Sequence, residues 1–479
     1  MLMPGHSRFI LWAMNPQGDA LGSQFSPAII SALYAREAAQ FRARHPRSAL
    51  LAARSTHWFA GTPLHWMQDW PLPFPLYVAR AQGARVTDVD GHPYADFCLG
   101  DTAAMFGHSP PALAEALSAQ VALGLSAMLP AAATAEVGEL LAARFGLPQW
   151  QIATTASDAN RFLLRWVRAA TGRNILVVFD GCYHGALDDT QVILVNGRTQ
   201  LAPGLLGATN DVTQTTRVVE FNDEQALAAA LAPGDVAAVL CEPALTNCGM
   251  VLPTAGFLAQ VRALTRAHGT QLIIDETHTL SAGPQGYALA EGLIPDALVV
   301  GKAIAGGLAC AVYGVSNELA ARMQSAWSRA GAGRTGIGTT LSGNLLQIAA
   351  LRATLTTLMS TENYAHMVGL ATRYAARLRQ VLAGHQLSWT VTQLGARTQL
   401  QFSAHPPRTA REAAASFDTA LDRLLQLYLL NRGVLVTPFH SMALMCPTTT
   451  LDEVEALVDG MDACLTELAA ADLPQPPGG

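Results

Sequence analysis

The feature that most constrains this chain is an alternation that begins near residue 150. Short apolar runs at Ile175–Phe179, 236–240, 272–274 and 298–300 take turns with stretches patterned for helix at 159–171, 223–231 and 255–268. Runs this short and this continuously apolar read as strands covered on both faces, and helices between them are the crossovers that a parallel sheet requires. The expectation is an α/β fold: a large domain over 105–345, with a mostly parallel sheet covered by helices. In such sheets the functional groups gather where strands end at their carboxyl termini. Asp180, Glu242, Asp275 and Lys302 each directly follow one of these runs or lie within two residues of its end.

The flanks have a different pattern. Residues 24–45 read as an amphipathic helix, and 85–97, with Asp90-Gly91 in the middle, as a two-stranded hairpin. Further on, 351–382 reads as one long helix, 391–402 as a strand and 410–430 as a helix. These segments predict a smaller α/β domain assembled from both chain ends, 1–104 and 346–479.

Composition narrows the function classes. Half of the 479 residues are hydrophobic and 14% are charged, which excludes a disordered chain. The net charge of −6, without any block of like charges, gives no footprint for nucleic acid. Seven scattered cysteines, an odd number, read as reduced core residues of a cytoplasmic protein rather than a disulfide framework. The apolar hexamer at 9–14 is short for an export signal, and no small-residue cleavage site follows it. The stretch 297–316 is broken by a lysine and several glycines, so it reads as a strand and a loop, not a membrane span.

The cations carry the sharpest signal: Lys302 is the chain's only lysine, against 29 arginines. Codon bias accounts for the arginines but not for the exception. A guanidinium stays protonated, whereas burial can turn a lysine into a neutral amine that acts as nucleophile or base. Lys302 sits between an apolar run ending at Gly301 and a loop containing Gly306-Gly307, a place suited to a reacting amine.

Five pieces in order, Asp88-Val89-Asp90-Gly91, Gly181-Cys182-Tyr183-His184-Gly185, Ile274-Asp275-Glu276-Thr277, Gly301-Lys302 with Gly306-Gly307, and Thr340-Leu341-Ser342-Gly343-Asn344, give the chain its resemblance. It resembles the class III aminotransferases of the fold-type-I pyridoxal-phosphate enzymes, and within them the glutamate-1-semialdehyde aminomutase-like group. The resemblance implies pyridoxal 5'-phosphate as cofactor, held by Lys302 as a Schiff base, with the freed lysine moving a proton between substrate and cofactor. It implies that Asp275 faces the pyridine nitrogen and keeps the ring an electron acceptor. It further implies that Tyr183 stacks on the ring, that Asn247 lies near its 3' oxygen, and that Thr277 belongs to the cofactor site.

Thr155-Ala156-Ser157 stands at a helix start, where hydroxyls and free amides make either a phosphate site or a plain cap. Ala156 departs from the glycine usual in the family. Thr340 matches a threonine that reaches the neighbouring subunit's phosphate, which implies a homodimer with a shared active site.

On the substrate side, Arg54 and Arg397 match arginines that clamp carboxylates in some members, and surface ion pairs are the alternative for both. Leu99-Gly100-Asp101-Thr102 replaces the aminomutase's Gly-Ser-Trp-Gly, so Asp101 stands where an aromatic wall is usual. Trp58, among His57, His65, Trp66 and Trp70, could rebuild that wall, and His440 with Met442 could line the far side. The expected activity is therefore amino transfer between an amine or amino-acid donor and a separate keto or aldehyde acceptor. The alternatives are a 2,1-aminomutase and a cofactor-binding homologue without catalysis. A zinc site at Cys182 and His184 lacks further ligands of credible spacing.

Overall fold

The structure, a computed structural model, describes residues 24–208, 210–331, 335–438 and 441–472. The hexamer at 9–14, the tail from 473 and His440 lie outside them. Seven strands form the central sheet: β1 Gln149–Ala153, β2 Ile175–Phe179, β3 Thr216–Val219, β4 Val236–Cys241, β5 Gln271–Asp275, β6 Ala297–Val300 and β7 Ala311–Val315. Their spatial order is β1-β7-β6-β5-β4-β2-β3. Only β7 runs against its neighbours; the other pairings are parallel. Every residue of β4, β5, β6 and β7 is buried, as expected of strands with helices on both faces.

Register positions the site. Cys241 pairs with Ile274, and Asp275 with Val299, so Glu242, Asp275 and Lys302 emerge along one edge of the sheet. β7 enters the sheet from that same edge because it is antiparallel, which brings Cys310 there too.

Segments from the two flanks pack together. Val78–Gln82, Arg85–Asp88 and Pro93–Asp96 form an antiparallel sheet, and Val434–Leu435 adds to Pro93–Asp96 in parallel. Helix Pro27–Arg44 packs on helix Thr419–Asn431, where Asn431 donates to the Glu37 carbonyl at 2.9 Å.

Three expected elements are divided. The long helix at 351–382 is instead Leu345–Ala353, a wide turn Thr354–Leu358, and a new helix Thr361–Gly384 started by Ser360, whose hydroxyl accepts from Asn363 N at 3.1 Å. Arg144 donates to the carbonyls of Leu355 and Met359 at the break, replacing the lost helical bonds. The strand at 391–402 is a hairpin, Thr390–Leu394 and Arg397–Gln401, turned at Gly395. Gly395 has φ +57°, and a Cβ there would lie 2.3 Å from Ala282 Cα, so only glycine fits. The helix at 410–430 is two helices, Ala410–Ala415 and Thr419–Asn431, the second capped by Asp418. In each case hydrophobic periodicity runs on through a turn, and a side-chain cap or a contact from elsewhere in the fold sets the boundary.

Candidate active site

A cavity of about 450 Å³ opens where the parallel strands end. It contains Lys302, Asp275, Tyr183, Asn247, Thr277, Asp101 and the helix start Thr155, Ala156 and Ser157, nine of the residues singled out in the sequence.

Lys302 begins a short 3-10 turn after β6, with φ +49°, a left-handed conformation that is costly for a side-chain-bearing residue. The turn behind it, Ala303, Ile304 and Ala305, is completely buried. The lysine itself is not: its side chain is 28% exposed, because it points into the cavity. Its Nζ lies 2.6 Å from Asp101 Oδ2 and also contacts His278 Nε2. Asp101 belongs to four consecutive left-handed residues, Leu99 to Thr102, with φ of 47°, 59°, 50° and 83°. The Asp96 carboxylate steadies that loop by accepting from the amides of Cys98 and Leu99 at 2.8 and 2.9 Å.

Asp275, at the end of β5, accepts from Asn160 Nδ2 at 2.9 Å and from Thr277 N at 3.1 Å, and pairs with His184 Nδ1 at 3.1 Å. Burial pushes the Asp275 carboxyl up, but the hydrogen bond and charge of His184 outweigh it and hold the group below the usual carboxylate range. Burial disfavours the His184 imidazolium, yet Cys182 and Asp275 together raise it well above the ordinary histidine value. The two shifts run in the direction of an ion pair, with the carboxylate on the cavity wall.

Helix Ala156–Thr171 starts on Thr155, whose hydroxyl accepts from Asp158 N at 3.1 Å. Ser157 Oγ accepts from Ala186 N at 3.0 Å and so ties the helix start to the loop after β2. Close approach is enforced there: a Cβ on Gly185 would lie 2.1 Å from Ser157 Oγ, and one on Gly301 would lie 2.8 Å from Ala156 Cβ. The Ala156 departure is therefore accommodated by Gly301 on the facing loop.

Three substrate-side expectations fall elsewhere. Arg397 is completely buried behind the cavity wall, donating to Thr102 Oγ1, to Ser281 Oγ at 3.3 Å and to the His278 carbonyl at 3.4 Å. Burial pushes its guanidinium down to about 10. It braces the loop that carries Asp101 and does not line the cavity, because the hairpin directs its side chain inward. Trp58 is 55% exposed and away from the cavity; Trp66 is the tryptophan on the wall, edge-on to the Tyr183 ring at 6.2 Å. Arg54 is exposed at the end of helix Pro46–Arg54. Thr340 is exposed, and its neighbour Thr339 touches Thr154 at the rim at 3.4 Å. Asp180 turns from the cavity to accept from Leu194 N at 2.8 Å.

His278, Thr246, Glu242, Asn160 and His184 are polar groups at the site that were not singled out as site residues. The Glu242 position after a strand was visible in sequence. His278 lies three residues beyond Asp275, a spacing that could have marked it; Thr246 and Asn160 carry no local signal.

The donor set fits pyridoxal phosphate: one reactive amine, a buried carboxylate held ionised, an aromatic ring, and a helix start, all lining the same cavity. Comparison with known proteins agrees. The chain matches the family description Aminotransferase class-III over residues 67–465. It is 31% identical over 406 residues to glutamate-1-semialdehyde 2,1-aminomutase 1 of Cenarchaeum symbiosum, covering 83% of this chain and 94% of that one. It resembles the crystal structure of a glutamate-1-semialdehyde-aminomutase from Pseudomonas aeruginosa PAO1 with a TM-score of 0.91 and 48% identity, over 93% of this chain and all of that one; a variant of that protein is in complex with PMP. It also resembles a β-phenylalanine aminotransferase from Variovorax paradoxus, with a TM-score of 0.81 and 26% identity over 92% and 98% of the two chains. The cavity, the fold and the family match lead to one conclusion: this chain belongs to the class III aminotransferases, enzymes of the fold-type-I architecture that use pyridoxal phosphate.

Proposed function

We propose that the enzyme moves an amino group from an amine or amino-acid donor to a separate keto or aldehyde acceptor, with Lys302 as the amine that attaches the cofactor. When bound, pyridoxal phosphate supplies an aldehyde that takes up the amino group and a ring that accepts electrons from the reacting carbon. Asp275, kept ionised by His184, would face the pyridine nitrogen. Tyr183 would cover a ring face, with Asn247 and Thr277 beside it, and the helix start at Thr155, Ala156 and Ser157 would take the phosphate. Lys302, once released, holds or returns the proton at the substrate carbon.

The observation that carries the choice of transfer over isomerisation is Asp101, 2.6 Å from the lysine amine. A carboxylate there attracts the ammonium of an incoming donor. Among the described residues lining the cavity there is no arginine to receive the carboxylate of glutamate-1-semialdehyde. The second reading, 2,1-aminomutation, is favoured by the 48% identity to the Pseudomonas aeruginosa protein. The test is a donor screen on the loaded enzyme. Transfer predicts that a single amine donor discharges the visible band of the lysine-linked cofactor and releases one equivalent of carbonyl product. Isomerisation of glutamate-1-semialdehyde, with no donor discharging the band, would establish the aminomutase instead.

The exposed Thr340 supports a shared site in a homodimer, the arrangement proposed for this cytoplasmic enzyme. Mixing inactive Lys302→Ala and Thr340→Ala subunits is expected to restore about a quarter of wild-type sites by random pairing. No recovery from mixed dimers would refute sharing.

A further inference from the structure

The Lys302 amine has a second partner that none of these roles uses. His278 Nε2 contacts Lys302 Nζ, while its Nδ1 lies 2.6 Å from Thr246 Oγ1. Thr246 Oγ1 in turn lies 2.5 Å from Glu242 Oε2, and Glu242 Oε1 accepts from Tyr183 N at 3.2 Å. His278 and Glu242 are both buried.

The protons in this chain can be assigned from its chemistry. Thr246 has one hydroxyl hydrogen, and the Glu242 carboxylate is the partner that can only accept. Thr246 Oγ1 must then accept from its other neighbours, Asn247 Nδ2 at 3.5 Å and His278 Nδ1. That fixes the neutral imidazole as the Nδ1–H tautomer, and its Nε2 lone pair faces the lysine amine. A carboxylate that orients a histidine through its far nitrogen, leaving the near nitrogen to work as a base, is the logic by which nucleophiles are activated in other enzymes.

We propose that His278 is a catalytic base for Lys302, oriented by Thr246 and Glu242. In the step it performs, a Lys302 N–H bond breaks, its electron pair stays on Nζ, and the proton forms a bond to His278 Nε2. The lysine is left as the neutral amine that the chemistry needs, and the reverse transfer restores it. The inference rests on the reading of Lys302 as the reacting amine.

The groups facing His278 set the pH behaviour. Burial and the Lys302 charge push its imidazole down to about 4, against Asp101, whose Oδ2 is 3.7 Å from Nε2. Arg397, at the His278 carbonyl, also opposes a positive ring. Neutral His278 is therefore the form present at pH 7; as a weak base it holds the Lys302 proton only transiently, and moving that proton off Lys302 removes one of the charges that disfavour its acceptance.

The single lysine makes a direct test available. In the full chain, acetic anhydride labelling of Lys302 is followed by peptide mass spectrometry from pH 5 to 9, in wild type, His278→Ala and Thr246→Val. The expected result is labelling slowed about tenfold or more at pH 7 in His278→Ala, with a smaller slowing in Thr246→Val. A merely structural role for His278 predicts an unchanged pH curve of labelling in the folded variants. If His278→Ala fails to fold, Thr246→Val decides, because it keeps the imidazole and removes only its orienting hydroxyl. Labelling that follows the wild-type pH curve in the folded variants overturns the assignment. Because this readout needs neither cofactor nor donor, it stands apart from the donor screen, whose failure would instead count against amino transfer.

Discussion

Lys302→Ala is expected to abolish the visible absorbance of the lysine-linked cofactor and to lower amino transfer by at least about 10³-fold. No other lysine exists to substitute. The arginines cannot take its place, because a guanidinium does not become a nucleophilic amine at any working pH. The fold should survive, since the side chain is partly exposed in a cavity and packs no core. The check is an absorbance spectrum of the reconstituted variant beside a thermal melt. A normal band in Lys302→Ala would show that the cofactor is held elsewhere, and the assignment of the site would fall with it.

The second large effect is expected at Asp275. Replacing it with asparagine removes the ionised partner of His184 and the carboxylate on the cavity wall. Activity should fall by roughly 10²–10³-fold, the scale for removing one preorganised electrostatic contact. Stability should fall by about 3 kcal/mol, because one member of a buried pair is left without its charge partner. The pH dependence has a definite sign. The Asp275 carboxyl is held below its unfolded value, so its contribution is fully present above about pH 4 and is lost as pH falls through the folded value. His184, raised in the folded state, contributes below about pH 6.5 and loses that contribution only as pH rises through its folded value. Denaturant melts of wild type and Asp275→Asn at pH 7 and at acid pH read the difference. Curves that stay parallel throughout would show that the dyad is not a charged pair.

How far the site could be read beforehand differs from residue to residue. Lys302 and Asp275 were legible because each is an ionisable group directly after an apolar run, and strand ends in a parallel sheet converge on one edge. The Tyr183 loop was legible as one of the motifs that carry the family resemblance. Arg397 was misplaced, although its type and position suited a carboxylate clamp. A strand residue points to one face or the other according to register, and the hairpin at Gly395 settles that register. Trp58 and Trp66 posed the same problem on a short irregular segment where no periodicity distinguishes wall from surface. His278 and Thr246 were missed because their partners lie on different strand ends, 32 residues apart in sequence.

The amino-acid sequence by itself determined the α/β architecture and, through the resemblance its motifs carry, the cofactor class, and it singled out Lys302 as the amine proposed to react. These depend on local pattern and on the chemical types of a few residues, which a linear chain displays openly. Only the tertiary structure decided which groups stand around that amine. The Asp101 carboxylate reaches it through a left-handed loop braced by a buried arginine, and the His278 imidazole reaches it through the register of neighbouring strands. Hydrogen bonds act over about 3 Å, so whether two distant residues meet depends on the packing of everything between them.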